Sequence, residues 1–367
     1  MKTKVSIVRC DRYEPVKLKQ AVNKAFELLG GLSSFIKKGE RVVLKPNLLS
    51  AGPPERGVAT NAEVVRAVAM LVKECGAIPL IGDNPGGSVT PRNAYEGSGF
   101  SRMAKEEGIE LLEVKNIKMV SGIPIASYFF ECDKIISLPK MKTHSLMVLT
   151  GAVKNMYGAV SGLNKSEYHK RFPRPDQFVD VLINVYGAVM PCLSLMDGII
   201  AMHGDGPASG DLKEAGLLMA SQDGVALDAV FSHLIGMEPF DVLTTKFAHE
   251  KGLGNGDMEK IEIAGEKVEN CIIRDFKLPS SKIIMKIPEP FMSTLASLVR
   301  FGPFIVEKLC KKCMICAESC PVAAITVNER KSVIDGRKCI RCMCCHEVCP
   351  HRAVILRRNI LARAFGL

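Results

Sequence analysis

Eight cysteines near the end of the chain are spaced for iron-sulfur chemistry. Cys310, Cys313, Cys316 and Cys320 read C-x-x-C-x-x-C-x-x-x-C-P, and Cys339, Cys342, Cys345 and Cys349 repeat that pattern. Three close thiolates can each take one iron of a [4Fe-4S] cube, and in two-cluster modules the fourth cysteine, before proline, ligates the other cube. The spacing therefore assigns Cys310, Cys313, Cys316 and Cys349 to one cluster and Cys339, Cys342, Cys345 and Cys320 to the other. A zinc ribbon would use four donors per ion, commonly two separated C-x-x-C pairs. That leaves the third close cysteine and the Cys-Pro of each run unaccounted for. Cys344, a ninth cysteine in this region, reads as a packed spare thiol.

The repeat reaches beyond the ligands. A shift of 29 residues carries Cys320-Pro321, Ala324 and Ile325 onto Cys349-Pro350, Ala353 and Val354. Between the halves, Ile325 to Val327 and Ser332 to Ile334 flank a polar turn, the pattern of a hairpin. The segment resembles the bacterial-type two-cluster ferredoxin, a small α+β module of two related halves.

A second set of reactive side chains lies far upstream. Lys140, Lys142, Thr143, His144, Thr150, Lys154 and Asn155 fall within sixteen residues, at or just past the apolar run Lys134 to Leu138. Lys45 and Asn47 follow another apolar run, Arg41 to Leu44, and Asp83 follows Ile78 to Ile81. Lysine is a point charge suited to phosphate or carboxylate, and a helix beginning near Gly151 would add backbone donors. The expected role of Lys45, Asn47, Asp83, Lys154 and Asn155 is to hold an anionic ligand, with Lys142 as anion anchor and His144 as proton donor. Lys45 taken alone reads as a solvated loop charge, and it is the crowding of Lys142, His144, Lys154 and Asn155 at a strand's carboxyl end that raises the ligand reading beside it. His203 and Asp205, with His144, are too scattered to define a metal site.

The elements that must position these groups alternate. Short apolar runs at residues 5–8, 41–44, 78–81, 110–114, 134–138, 192–196, 217–220 and 261–263 read as strands. Residues 15–29, 91–107, 176–189, 224–235 and 242–250 read as helices, and Thr60 to Glu63 has the form of a capping box opening another. Residues 165–174 read as a basic loop. The alternation predicts an α/β fold, a mainly parallel sheet with helices on both faces, in one unit or two lobes. The candidate residues follow strands at their carboxyl ends, where open α/β sheets bind ligands. Boundaries are expected at 1–276 for this unit, 277–303 for a linker with a docking helix at 291–301, 304–358 for the cluster module and 359–367 for a basic, apolar tail.

Composition narrows the class. Hydrophobic residues make up 47% of 367, enough for a sizeable core. The chain opens on a short apolar strand with no secretory pattern, and no run approaches a membrane span, so the expected location is cytoplasmic. The apolar helix at 291–301 is the segment that could touch a membrane surface or a partner. The formal charge is +10, and residues 300–367 hold thirteen Lys or Arg against five Asp or Glu. Ligated thiolates add compensating negative charge there. Nucleic acid is disfavoured because Trp is absent and the basic tail carries only Phe365.

With the Lys45-Pro46-Asn47 loop, the Gly82 to Gly86 loop, the run Pro139 to His144 and the run Val153 to Gly158, residues 1 to about 270 resemble the family named domain of unknown function 362. The C-terminal ferredoxin pair is a frequent attachment in that family. The resemblance implies an iron-sulfur protein and no particular reaction. The expected function is transfer of low-potential electrons through two [4Fe-4S] clusters to an anionic small molecule or cofactor in the N-terminal unit. The alternative is a non-catalytic carrier docking to a redox partner protein, or a scaffold responsive to iron or oxygen. A flavin or deazaflavin has no supporting motif, since no G-x-G-x-x-G turn follows a strand.

Overall fold

The computed structural model describes residues 2–280 and 301–358. The expected docking helix at 291–301 and the tail at 359–367 lie almost entirely outside these residues.

Twelve strands precede residue 280. They are β1 (Thr3–Arg9), β2 (Arg41–Pro46), β3 (Ile78–Ile81), β4 (Glu110–Leu111), β5 (Ile117–Val120), β6 (Ile123–Ala126), β7 (Lys134–Leu138), β8 (Lys140–His144), β9 (Val148–Thr150), β10 (Leu193–His203), β11 (Asp211–Ser221) and β12 (Ile261–Gly265). The main sheet runs β12-β1-β11-β10-β7-β2-β3-β4, with β8 and β9 branching from β10. Its pairings from β10 through β7, β2 and β3 to β4 are parallel. The long hairpin of β10 and β11 and the β1–β11 pairing are antiparallel, so the fold is α/β on a mixed, mainly parallel sheet.

Strands in such a sheet are covered on both sides and read as continuous apolar runs. In β2, Val42 and Leu44 pack into one core with the helices Pro15–Glu27 and Ala62–Glu74. Val43, between them, points into the opposite core with Phe178, Leu182 and Val185 of the helix Pro175–Ala188. Asn61 starts the helix Ala62–Glu74 by accepting from the Glu63 N–H at 2.9 Å. The single helix expected at 91–107 is broken into Pro91–Gly97 and Phe100–Glu107, because Gly99 sits at φ +81° and turns the chain between them. The strand expected to stop at Met196 instead runs to His203, and the loop expected at 165–174 is helical over Asn164–Arg171.

The C-terminal domain has a strand pair Phe301–Ile305 with Val354–Arg358, a hairpin of Ile325–Val327 with Ser332–Ile334, and one short helix in each half, Ile315–Glu318 and Cys344–Val348. No helix among the described residues is long and apolar enough to cross a membrane.

Candidate functional site

The cysteines fall into two groups. Cys310, Cys313, Cys316 and Cys349 line one small hollow, and Cys320, Cys339, Cys342 and Cys345 line another. Cys320 and Cys349 thus each stand with the three close cysteines of the other half. Among the described residues no three His, Cys, Asp or Glu side chains converge on one point as a single metal ion would require. A cube takes one thiolate per iron and spreads its ligands around a larger body, so this donor set fits the cubes rather than zinc.

The backbone repeats with the sequence. Lys312, Met314 and Ala323 adopt left-handed conformations (φ 56°, 65° and 48°), and so do Arg341, Met343 and Arg352, each 29 residues later (57°, 65° and 52°). Such conformations are costly without glycine and collect at functional sites. In both halves the cysteine before proline accepts a backbone N–H through its sulfur, Cys320 from Ala324 and Cys349 from Ala353, each at 3.3 Å. Hydrogen bonds to sulfur are one of the means by which a protein sets cluster potential. Burial and the facing thiols push Cys316 up to about 11, so cluster assembly has to displace a proton that this site holds tightly.

The upstream residues gather at the carboxyl ends of β2, β3 and β7. Lys45 is fully buried and its ammonium lies 2.7 Å from Asp83 Oδ1. Asp83 Oδ2 accepts the Leu48 N–H at 2.7 Å. Burial lowers the Lys45 pKa, and Asp83 opposes that shift. Asn155 ties the knot: its amide donates to Ser137 Oγ at 2.9 Å and its carbonyl oxygen accepts from Asn47 at 3.2 Å. Gly158 must be glycine here, since a Cβ would overlap both Asp83 Oδ1 and the Lys45 ammonium.

Lys142 lies deeper. Its ammonium donates to the Val58 carbonyl at 2.6 Å, and burial, with Lys154 adding to it, puts its pKa well below the ordinary value. Lys140 is also buried, 2.7 Å from Asp197, with Tyr13 hydrogen bonded to both. Of the lysines singled out in sequence, Lys154 alone lines open space. It is half-buried and makes no hydrogen bond or ion pair among the described residues. Asp228 caps its short helix by accepting the N–H groups of Ala152 at 2.6 Å and Val153 at 3.1 Å.

That open space is a cleft whose walls come from both domains. Asn47, Asp83, Asn84, Thr150, Lys154, Asn155, Lys165 and His169 line it from the α/β side, and Cys344, Glu347 and Val348 from the cluster side. Cys344 also lines the cavity of the second cysteine group, so its side chain is common to both spaces. Buried polar atoms without hydrogen-bond partners converge on the cleft, namely Asn47 Oδ1, Thr150 Oγ1 and His169 Nδ1. Orphans of this kind are uncommon in native interiors.

His144 meets the cluster domain. Its Nδ1 accepts the N–H groups of Leu146 and Met147 at 3.1 and 3.2 Å, so the ring proton is on Nε2, 3.1 Å from Glu347 Oε1. Burial, reinforced by Lys154, drops the His144 pKa to about 4, so the ring is neutral. Burial works against ionisation of Glu347, but His144 and Lys154 overcome it and keep the carboxylate charged.

Sequence reasoning missed Lys165, His169 and Glu347. Lys165 donates to the carbonyls of Asn84 and Pro85, and burial lowers its pKa to about 7. His169, one turn later, stacks on Phe178 with ring centroids 4.1 Å apart. Their spacing of four on a helix is the available signal. Glu347 was hidden inside a run read only for its cysteines. His203 and Asp205 serve the backbone instead, accepting the N–H groups of Lys277 at 3.1 Å and Ser280 at 2.8 Å.

A sequence family described as a domain of unknown function, DUF362, matches residues 42–233, and a 4Fe-4S dicluster domain matches residues 302–350. The thylakoid-associated protein sll1697 of Synechocystis sp. is 33% identical over 291 residues, covering 77% of this chain and 89% of its own. Two solved structures, each 12% identical, match at low TM-scores. One is a Thermotoga maritima protein (TM-score 0.33), which covers 53% of this chain, while this chain spans about half (52%) of its length. The other is the lactate racemase apoprotein of Thermoanaerobacterium thermosaccharolyticum (TM-score 0.36, 68% of this chain and 58% of that one).

Proposed function

The chain belongs to the family of domain of unknown function 362 and carries a 4Fe-4S dicluster domain, and from that premise we propose that it is an oxidoreductase serving an anionic acceptor in the interdomain cleft. The observation that carries this reading is the shared wall: Cys344 borders both the second cysteine group and the cleft. On this reading Cys310, Cys313, Cys316 and Cys349 hold one cluster and Cys320, Cys339, Cys342 and Cys345 the other, each supplying single electrons at low potential when bound. The working division is an α/β unit at 1–276 and a cluster module that starts at the strand Phe301–Ile305, ahead of the boundary expected at 304, because that strand pairs with Val354–Arg358.

Lys154, with its ammonium unpaired among the described residues, anchors the anion. Asn47 and Asn84 border the same space, their amides held by Asn155 and by the Gly158 carbonyl. Lys165, whose pKa of about 7 suits proton donation at neutral pH, supplies the proton that accompanies electrons to an organic acceptor. His144 and Lys142 move from the roles expected in sequence to supporting ones. Neutral His144 orients Glu347, and Lys142 ties its strand to the Val58 carbonyl.

A specific observation favours the carrier reading as runner-up. Glu347 already gives the cationic cleft a carboxylate of its own. One experiment separates the two. Anaerobically purified protein is analysed for iron, sulfide and bound small molecules, then reduced and mixed with candidate anionic acceptors. An enzyme reoxidises its clusters with one acceptor class, and Lys154→Ala weakens that response while leaving iron content unchanged. No reoxidation across the panel, with nothing bound in the cleft, overturns the proposal in favour of the carrier.

A further inference from the structure

The two ends of the cluster domain face different surroundings. Its second short helix, Cys344–Val348, is wholly buried. Around it, His346 Nε2 lies 3.1 Å from the Asp205 carbonyl, Ser319 Oγ accepts the Ser88 N–H at 3.0 Å, and Arg56 donates to the Pro350 carbonyl. This end is sealed against the α/β unit. At the other end Cys313 is the one exposed cysteine of the fourteen in the chain. Beside it in sequence, Met314 is 40% and Leu309 46% exposed. Lys308 and Lys311 are exposed and make no ion pair among the described residues, whereas Lys312 is tied to Glu307 at 3.4 Å. Exposed apolar side chains beside a ligand cysteine, flanked by unpaired positive charge, form a docking face for a partner of opposite sign.

We propose that the face around Cys313 docks an acidic one-electron carrier protein, and that electrons come in there rather than through the half of the domain around Cys339. Per encounter the carrier is oxidised by one electron and the cluster held by Cys310, Cys313, Cys316 and Cys349 is reduced by one, with no bond made or broken. Charge complementarity selects the occupant: opposite fields steer the encounter, and the approach brings the carrier's centre against the most exposed of the ligand cysteines. The half around Cys339 is also basic, with Arg337, Lys338 and Arg341 exposed, but Cys339 is partly covered. The inference rests on the reading that the domain feeds the cleft, yet it is tested without any acceptor present.

The experiment is anaerobic stopped-flow reduction of the oxidised, reconstituted full chain, followed by bleaching of cluster absorbance. The donor probe is a reduced acidic [2Fe-2S] ferredoxin, and reduced methyl viologen is the small cationic control. Lys308→Glu with Lys311→Glu is expected to slow bimolecular reduction by the ferredoxin about tenfold at low salt, with the difference shrinking as salt rises. Reduction by methyl viologen should not slow. Lys308→Gln with Lys311→Gln, which removes charge without reversing it, should fall between, and it replaces the first variant if that one loads less iron. Arg337→Glu with Lys338→Glu should stay within about twofold of the unmodified chain. Equal rates for all variants overturn the proposal, as does a larger loss in the Arg337 and Lys338 variant. It is also overturned if the Lys308 and Lys311 variants lose binding to anionic lipid vesicles while keeping the ferredoxin rate, which would make this a lipid-facing surface.

Discussion

Replacing Asp83 by Asn is the sharpest probe of how the cleft is held. Asn keeps the shape and can still accept the Leu48 N–H through its oxygen, which turns its amide nitrogen, a donor, toward the Lys45 ammonium, so the change removes both the charge and the acceptor on that side. Lys45 is 0% exposed and its ammonium sits 2.7 Å from the carboxylate that would be lost. Removing one partner of a buried pair leaves an uncompensated charge and costs about 3–5 kcal/mol. For a domain of this size that corresponds to a fall in melting temperature of roughly 10 °C. The loss has a pH signature. With Asp83 gone, the folded pKa of Lys45 drops further below its unfolded value, so the native state favours the neutral amine. The penalty is full where both states are charged, at low pH, and is relieved as pH rises through the folded pKa. Asp83→Asn should therefore recover stability toward alkaline pH relative to the unmodified chain. Lys45→Met with Asp83→Leu, which removes both charges, should melt above the single variant. The assay is anaerobic thermal unfolding followed by far-ultraviolet circular dichroism across a pH series. A single variant melting within about 2 °C of the unmodified chain, or a double variant no better than the single, would refute the claim that this pair is a buried structural brace.

Three further outcomes follow from the geometry. Cys320→Ala should lose the cluster of the second half, about four irons per chain, whereas Cys344→Ala should keep both clusters, as read by iron analysis and by paramagnetic resonance of the reduced protein. Gly158→Ala should destabilise the chain by about 1–3 kcal/mol in the same melting assay, because its methyl group must displace Lys45 or Asp83. With an identified acceptor, turnover should fall as pH rises through about 7, where Lys165 loses its proton, and Lys165→Met should flatten that limb while iron content stays constant.

The parts of this molecule legible in the chain were those governed by local rules. Cysteine spacing is dictated by the cubes and survives whatever surrounds it, so both groups could be written down from residue numbers. The strand runs at Val42 to Leu44 and Ile135 to Leu138 announce themselves because burial on both faces demands unbroken apolar sequence. What could not be read was pairing across distance. Nothing near Lys45 says that its counter-charge lies 38 residues later at Asp83, or that Lys142 would turn inward to the Val58 carbonyl instead of outward to a ligand. Helix Asn164–Arg171 looked like a loop because it is nearly all polar. Its Lys165 and His169 are buried by neighbours distant in sequence rather than by their own hydrophobicity. The contribution of Glu347 to the cleft depends on how two domains meet, which residue order within either domain does not encode.

The seam where Glu347 reaches His144 and Ser319 nests against Gly87 limits how far this protein can be treated as two interchangeable parts. A Cβ at Gly87 would strike the Ser319 hydroxyl, so the fit is cut to this one companion. A chimera with a generic two-cluster domain grafted in place of residues 304–358 would still carry iron, but it would lack the carboxylate and thiol that close one flank of the chamber. Water would flood the exposed lysines, and the front half would become an open bowl.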